Sequence, residues 1–525
     1  MLRDKYHFDK WSEAIRRYTG DDWTAADLAY LYARAVSETE PDLADLNWLR
    51  KKTSLLPPNL LPQIDEAWLI SNAPRSKDAT PATRSVPIKI IEGRFTDDEF
   101  KDFFKPRTQE DLNIRRGRAR TVYMMYEGKK MTTEWRRWII RLTHFDYITV
   151  CNLLMFHIYH GDWLDFWAKT DALRVGVSSL QLVTKWASDA LKKMPATMEL
   201  RLRYCEAGGV SGYRNPPFEG FDFLAETKKL AEGGEPHGVG AWEETFEKAA
   251  TEVQGASVVK PLDFMTLEEF IASDLAQTHG ASSFGKVEWE FEGEHGKFKA
   301  RKNFLLDIAT PEYLAEQVWE HLGRQVSTSF IKPELGKMRI AVTGDIWSYY
   351  SQAYLNWLCN GVYLEWPGNT LDESVVQQCK RMLAMFDALH LSYGLSFDHA
   401  AFDHQALTSE IVKLSGLYLA RGKDNVPAWY LSTWQKLYDG TLQSFNHSTI
   451  KATFEGKLHE YTVSGGLASG IRLTSLIGNY WNGTITREVK NMLPLLETQI
   501  DSWLRGDDSV IVGPSYWHTL LFRLG

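Results

Sequence analysis

The sequence predicts an α+β protein, and three observations carry that expectation. Residues 1–200 read mainly as helices separated by short polar breaks. Two later stretches, Val287–Lys299 and Thr453–Val463, alternate apolar and charged residues about a glycine-containing turn, the pattern of a hairpin with one wet face. Towards the C-terminus, Trp503–Val512 reads as two short strands joined by a tight Gly506-Asp507-Asp508 turn. Composition agrees: with 525 residues, 44% of them apolar, the chain can bury a large core without disulfide staples. A charged fraction of 24% excludes a disordered tail protein or a collagen-like rod. The 60 Lys and Arg are outnumbered by 68 Asp and Glu, giving a net charge of −8, so any basic channel must be local.

Taken in order, the N-terminal MLRDKYHFDKWSEAIRRY carries charges every few residues and lacks the apolar run of a secretory signal, so no export is expected. Pro57-Pro58 and Ser71–Pro87 read as linker. The most apolar stretch, Tyr147–Tyr159, is interrupted by Asn152 and His157 and followed by Asp162; it is too short for a membrane span and reads as a buried helix. Cys151, Cys205, Cys359 and Cys379 form no CxxC pair and read as buried thiols of a reducing compartment. The glycine-rich patches Gly208–Gly220 and Gly233–Gly240 read as surface loops, and Gly238-Val239-Gly240 is too little for a dinucleotide loop. Thr370-Leu371-Asp372-Glu373 has the form of a capping box ahead of a helix whose apolar positions are Val375, Val376, Cys379, Met382, Leu383, Phe386 and Leu389.

After that helix, Leu395–Asp403 reads as a short apolar strand ending in two aspartates, Asp398 and Asp403. Two adjacent carboxylates in the later Gly-Asp-Asp turn repel unless a cation lies between them, which suggests a divalent metal; alone, such a turn is equally an ordinary hairpin. Between the two acidic segments, Gly465–Thr474 is a Ser-Gly loop leading into a helix that carries Thr474, Asn479 and Asn482. By itself this is an ordinary capped helix. Upstream, Lys332-Pro333-Glu334-Leu335-Gly336-Lys337-Met338-Arg339-Ile340 gathers three cations, alone a solvated strand edge.

In this order the segments resemble motifs F, A, B and C of viral RNA-dependent RNA polymerases, and the Ser-Gly-x-Arg-x-Thr form of motif B looks most like double-stranded RNA viruses of the totivirus-like kind. The resemblance spans residues 325–513. It implies a right-hand polymerase: an N-terminal extension over 1–90, helix-rich fingers over 91–345, and an antiparallel-sheet palm over 346–525 with an inserted fingers segment around 404–460. It implies Asp398 and Asp507 as the principal ligands of Mg²⁺ or Mn²⁺, with Asp508 the supporting carboxylate. Asp403 would accept a hydrogen bond from a ribose 2′-hydroxyl, where reverse transcriptases have an aromatic residue. Ser469, Gly470 and Thr474 would complete the sugar-sensing network with a helix asparagine. The family spacing falls on Gly478, so Asn482, one helical turn on, is preferred, and Asn479 is expected to point elsewhere. Lys332, Lys337 and above all Arg339 would hold the triphosphate.

The implied partners are an RNA template and product, nucleoside triphosphates, and a viral capsid protein or a second polymerase polypeptide; the implied location is the host cytoplasm or the virion interior. Arg115–Arg120 and Trp135–Trp138 are basic segments that suit a template backbone or a solvated helix face equally. Such a palm is followed by a thumb, yet only 17 residues follow Asp508, of which Trp517–Leu524 reads as a helix. The chain is therefore expected to be a fragment or to be completed by a second polypeptide, and weakly active alone. Two rivals remain: a reverse-transcriptase-like enzyme, against which Asp403 argues, and a non-catalytic RNA-binding or particle-assembly protein retaining a palm scaffold.

Overall fold

The computed structural model describes residues 6–74, 177–205, 221–233 and most of 242–525, with a few positions between 153 and 170. The chain is α+β, with strands gathered into a two-stranded, a four-stranded and a three-stranded sheet among the described residues. It divides into two compact units: one of Met1–Glu40, Asp222–Ile331 and Ile340–Gly525, the other of Pro41–Phe221 and Lys332–Arg339.

The first unit opens with α1 (Phe8–Thr19) and α2 (Ala25–Val36), the latter started by a reciprocal Thr24–Asp27 capping box. In the second unit, α3 (Leu43–Leu49), α4 (Glu66–Asn72), α5 (Val177–Lys193) and α6 (Met198–Cys205) are tied by a stacked Trp68–Trp186 pair and by Arg203, which reaches Glu66 at 3.1 Å and Glu199 at 2.8 Å.

The remainder of the first unit is built around two buried helices. Helix α11 (Ile346–Leu358) is buried along most of its length: Tyr350 and Tyr354 are completely inside, and its buried Ser348, Ser351 and Gln352 are each hydrogen-bonded. Around it pack α8 (Trp242–Gln254), α9 (Leu267–Ala272), α10 (Pro311–His321), α14 (Thr408–Leu419), α15 (Leu431–Asn446) and α16 (Thr474–Met492), joined in one apolar cluster. Helix α16 is the second buried helix: Leu476 to Thr484 are all inside, Tyr480 stacks on Trp366 at 4.3 Å, and its hydroxyl donates to the Ala250 carbonyl.

Strands β1 (Ser283–Phe291) and β2 (Glu294–Arg301) form the first expected hairpin. The second appears as β6 (Ser448–Phe454) and β7 (Lys457–Thr462), whose two turn residues, Glu455 and Gly456, both have positive φ, the turn that matches strand twist. Strand β6 starts earlier than the alternation suggests because it also pairs in parallel with β3 (Gln325–Glu334), which lies beside β4 (Lys337–Thr343). The three-stranded sheet has the order β5 (Tyr393–Asp398), β9 (Asp508–Gly513), β8 (Asp501–Arg505), antiparallel throughout. Its β8 edge is covered by the segment around Asn369, where Leu504 N–H donates to the Gly368 carbonyl at 2.7 Å.

The last helix, α18 (Tyr516–Leu524), is held by the first forty residues. Trp11 Nε1 donates to the Leu524 carbonyl at 2.7 Å, Trp517 Nε1 donates to the Thr39 carbonyl at 2.6 Å, and the Arg34 guanidinium lies 5.0 Å from the Trp517 ring. Tyr393 on β5 donates to Glu40. Among the described residues no helix is long and apolar enough to cross a membrane.

Several sequence expectations change. The capping box that starts α12 (Val375–Leu391) is Ser374 with Gln377; Thr370 instead bonds the Leu504 carbonyl, and Asp372 takes a left-handed φ of 57°. None of the residues of α12 is buried: its apolar stripe is exposed, with Val375 at 75% and Phe386 at 59%. Cys379, on that helix, is exposed, whereas Cys359 is buried as expected. The strand ends at Asp398, and Asp403 falls on a one-turn helix, α13 (Phe402–Gln405). The segments 75–87, 115–120, 135–138, 208–220 and 234–240 lie outside the described residues, as do the side chains of Cys151 and Cys205 and all of 147–159 except Leu153.

His518 on α18 is fully buried between Ser515 Oγ, 2.8 Å from Nδ1, and Gln499 Oε1, 2.5 Å from Nε2, and desolvation lowers its pKa from 6.5 to about 4. The unfolded chain therefore takes up the proton first as pH falls. His518 contributes its full share of stability above pH 6.5, and roughly 3 kcal/mol is lost by pH 4. Urea unfolding between pH 7 and 4 should show that loss, and His518→Gln should remove this component of the slope.

Candidate functional site

Strand β9 lies at the centre of its sheet, and its register brings the acidic segments together. On one side Asp508 is the direct partner of Asp398 and Ser509 of Phe397; on the other Asp508 faces Arg505 and Ser509 faces Leu504. Asp398, Asp508 and Arg505 thus occupy one cross-strand row. Like charges set directly opposite one another destabilise a sheet, and Arg505 supplies one counter-charge to the row. Gly506 and Asp507 form the turn between β8 and β9, Gly506 with a φ of +63°, a conformation that glycine reaches without strain. Asp507 and Asp508 are both exposed, while Ser509 is buried. The backbone positions of Asp398 and Asp403 are described; their side chains lie outside the described residues.

The turn is gripped from beneath by α16. Asn479 Oδ1 accepts from Gly506 N–H at 3.0 Å, and Asn482 Nδ2 donates to the Gly506 carbonyl at 2.8 Å. Asn482 also exchanges hydrogen bonds with Ser509 Oγ, and its Oδ1 lies 3.3 Å from His399 Nε2. Asn479 Nδ2 donates to Asn369 Oδ1 at 2.8 Å. Both asparagines are buried, at 2% and 1% exposure, and every amide atom has a partner, as burial of an amide requires. The expectation that Asn479 points elsewhere is not met: residues three apart on a helix share a face, and both meet the same turn.

The Ser-Gly loop is fixed at its ends. Ser464 N–H bonds the Ala231 carbonyl at the end of α7 (Phe223–Glu232), Gly466 N–H bonds the Ala406 carbonyl, and Gly344 N–H bonds the Gly470 carbonyl. A Cβ on Gly470 would lie 1.5 Å from the Val342 carbonyl oxygen, so only glycine fits there. Ser469, exposed, accepts from Val342 N–H at 3.4 Å through Oγ, and Thr474 Oγ1 lies 2.6 Å from the Ala468 carbonyl, closing the loop on itself. Eight residues separate Thr474 from Asn482, about 12 Å along the α16 axis. After β5, the rings of His399, Phe402 and Trp481 cluster within 5.6 Å of one another, and Trp481 Nε1 donates to the buried Glu410 carboxylate at 2.9 Å. The segment after Asp398 is thereby packed against the same helix that grips the turn.

Lys332 and Arg339 are exposed near the ends of β3 and β4, the side chain of Lys337 lies outside the described residues, and Lys332–Arg339 belong to the second compact unit. The first unit thus unites Asp398, Asp507, Asp508 and Asn482, together with Asn479, Ser509, His399 and Arg505, which sequence reasoning did not assign. The signal for Asn479 was its i, i+3 spacing from Asn482 within the otherwise apolar stretch Leu476–Gly483.

Among the described residues no group of three or more His, Cys, Asp or Glu side chains is arranged to hold a metal ion. No protein-family model and no curated protein matches this sequence.

Because Gly470 abuts the Val342 backbone, Gly470→Ala must displace the loop from β4. Chemical denaturation should show a loss of about 1–3 kcal/mol, the usual cost of overpacking, whereas Gly483→Ala, within α16 and with its nearest contact for a Cβ at 3.5 Å, should lose less.

Proposed function

We propose that this chain is an RNA-directed RNA polymerase whose palm consists of the β5-β9-β8 sheet backed by α16. The observation that carries this reading is the register of β5 against β9, which sets Asp398 directly across from Asp508 beside the Gly506-Asp507 turn. The two acidic segments lie about 110 residues apart in the chain, and their pairing creates a concentration of carboxylates with no evident value to the sheet.

The donor set suits Mg²⁺ or Mn²⁺, which take carboxylate oxygens. When a 3′-hydroxyl attacks the α-phosphate of a nucleoside triphosphate, a phosphodiester forms and pyrophosphate leaves; divalent ions, which Asp398 and Asp507 would hold, would supply charge stabilisation at the attacking and leaving oxygens. Asp508 adds negative charge to the row, and Arg505 opposite it limits the repulsion. Asp403, at the start of the short helix after β5, is the residue for the ribose 2′-hydroxyl. An RNA template and product and nucleoside triphosphates are the partners of this reading.

One observation favours a second reading. Arg505 stands directly across β8–β9 from Asp508 and places one cation in the row, as a non-catalytic RNA-binding scaffold would need.

Primer extension on an RNA template separates the two. The chain should incorporate ribonucleotides in preference to deoxynucleotides, only with Mg²⁺ or Mn²⁺, and Asp398→Asn or Asp507→Asn should reduce incorporation at least ~100-fold with little change in thermal midpoint. Millimolar Mn²⁺ should raise the midpoint of the parent chain and not that of Asp507→Asn, because binding to the folded state alone stabilises it. RNA binding without metal-dependent incorporation would establish the scaffold reading, and near-normal incorporation by either variant would remove the assignment of that residue. Asp403→Ala should narrow the preference for ribonucleotides; an unchanged preference would relieve Asp403 of the sugar role.

A further inference from the structure

We propose that Asn479 and Asn482 are positioning residues that together fix Asp507 relative to Asp398, a role that rests on the polymerase reading and replaces contact with the ribose as the task of Asn482. The two amides take the two opposite polar groups of one residue: Asn479 Oδ1 receives the Gly506 N–H at 3.0 Å and Asn482 Nδ2 holds the Gly506 carbonyl at 2.8 Å. Reversing either amide would set like poles together, so each orientation is determined by the turn. Holding both peptide groups of Gly506 fixes its left-handed backbone and therefore the direction in which the chain delivers Asp507.

The clamp extends beyond the turn in both directions. Asn482 exchanges two hydrogen bonds with Ser509 Oγ, so the residues on either side of the Asp507-Asp508 pair are anchored to one side chain. Its Oδ1 also meets His399, the residue after Asp398. A single buried amide thereby links the end of β5 to the turn after β8, the two places from which the proposed metal-binding carboxylates come. Asn479 is itself held by Asn369, whose Nδ2 donates to the Tyr363 carbonyl at 2.7 Å. With both asparagines almost fully buried, each bond acts in a low dielectric and none is exchanged freely for water. Their amide atoms are committed within the protein, which leaves Asn482 no group for a sugar hydroxyl.

The test uses the full chain and the variants Asn479→Leu, Asn482→Leu and Asn479→Asp, the last retaining an acceptor for Gly506 N–H. Hydrogen exchange should find the Gly506 amide protected although it lies in a surface turn, and Asn479→Leu should accelerate it at least ~10-fold while the amides of α16 keep their protection. In primer extension, Asn482→Leu and Asn479→Leu should lower kcat by ~10–100-fold, the usual effect of losing a group that orients a metal ligand. KM for ribonucleotides should change less than ~3-fold and the preference for ribose should persist; Asn479→Asp should recover part of kcat. A variant that fails to fold is recognised by loss of protection throughout α16, and the exchange rate of Gly506 in the parent chain then decides, since a fast amide there overturns the clamp. A raised KM with kcat preserved, or a lost ribose preference, overturns the proposal in favour of sugar contact. If the exchange results hold and no chain, the parent included, incorporates nucleotide with metal, the polymerase reading fails and the positioning role falls with it, while the clamp stands as a support of the turn.

Discussion

Helix α16 must satisfy two buried carboxamides inside an apolar interior, and much of the first compact unit is arranged around that demand. On one side the helix contributes Tyr480 to the aromatic stack on Trp366 and Trp481 to the cluster with His399 and Phe402. On another, Asn479 and Asn482 would each cost about 1–3 kcal/mol if left without partners. The Gly506-Asp507 turn supplies one N–H and one carbonyl in the positions needed, so the hairpin docks on the helix in one register. Polar demand inside and backbone supply at a turn specify a unique geometry where apolar packing alone would tolerate sliding.

The same geometry concentrates negative charge. Asp398 and Asp508 face each other across two strands, with Arg505 the cation on the far side. A sheet selected only for stability would gain by replacing one of those carboxylates. The termini of the unit brace this sheet from behind: α18 packs on β5 and β9, and the first forty residues hold α18 through Trp11, Arg34 and Thr39. The burial of His518 in that brace makes its stability sensitive to acid for a reason unconnected with the acidic row.

Much of the local structure was legible. The hairpin at Glu455-Gly456, the β8–β9 turn, the start of α16 after the Ser-Gly loop and the α18 helix follow from alternation, glycine and helical spacing, all encoded within a few residues. The failures were local choices between near-equivalent signals. Thr370–Glu373 and Ser374–Gln377 both have the form of a capping box, and the covered edge of β8 took Thr370 away to bond Leu504. The apolar spacing of α12 identified a helix and gave no information on its burial, because periodicity records a pattern and burial depends on what packs against it.

By itself, the sequence marked the residues on which the resemblance rests: Asp398, the Asp507-Asp508 pair, the Ser469-Gly470 loop and a helix with two asparagines, all identifiable by type and order. Only the tertiary structure decided which of them meet. The pairing of Asp398 with Asp508 joins segments about 110 residues apart, and no local periodicity encodes a register over that distance. The direction of Asn479 was undecidable for the same reason: helical spacing puts it on the face of Asn482, but the turn that it holds arrives from another part of the chain. Local patterns select elements because backbone hydrogen bonds and side-chain alternation act within a few residues, while a site is fixed by the long-range packing that satisfies its buried polar groups.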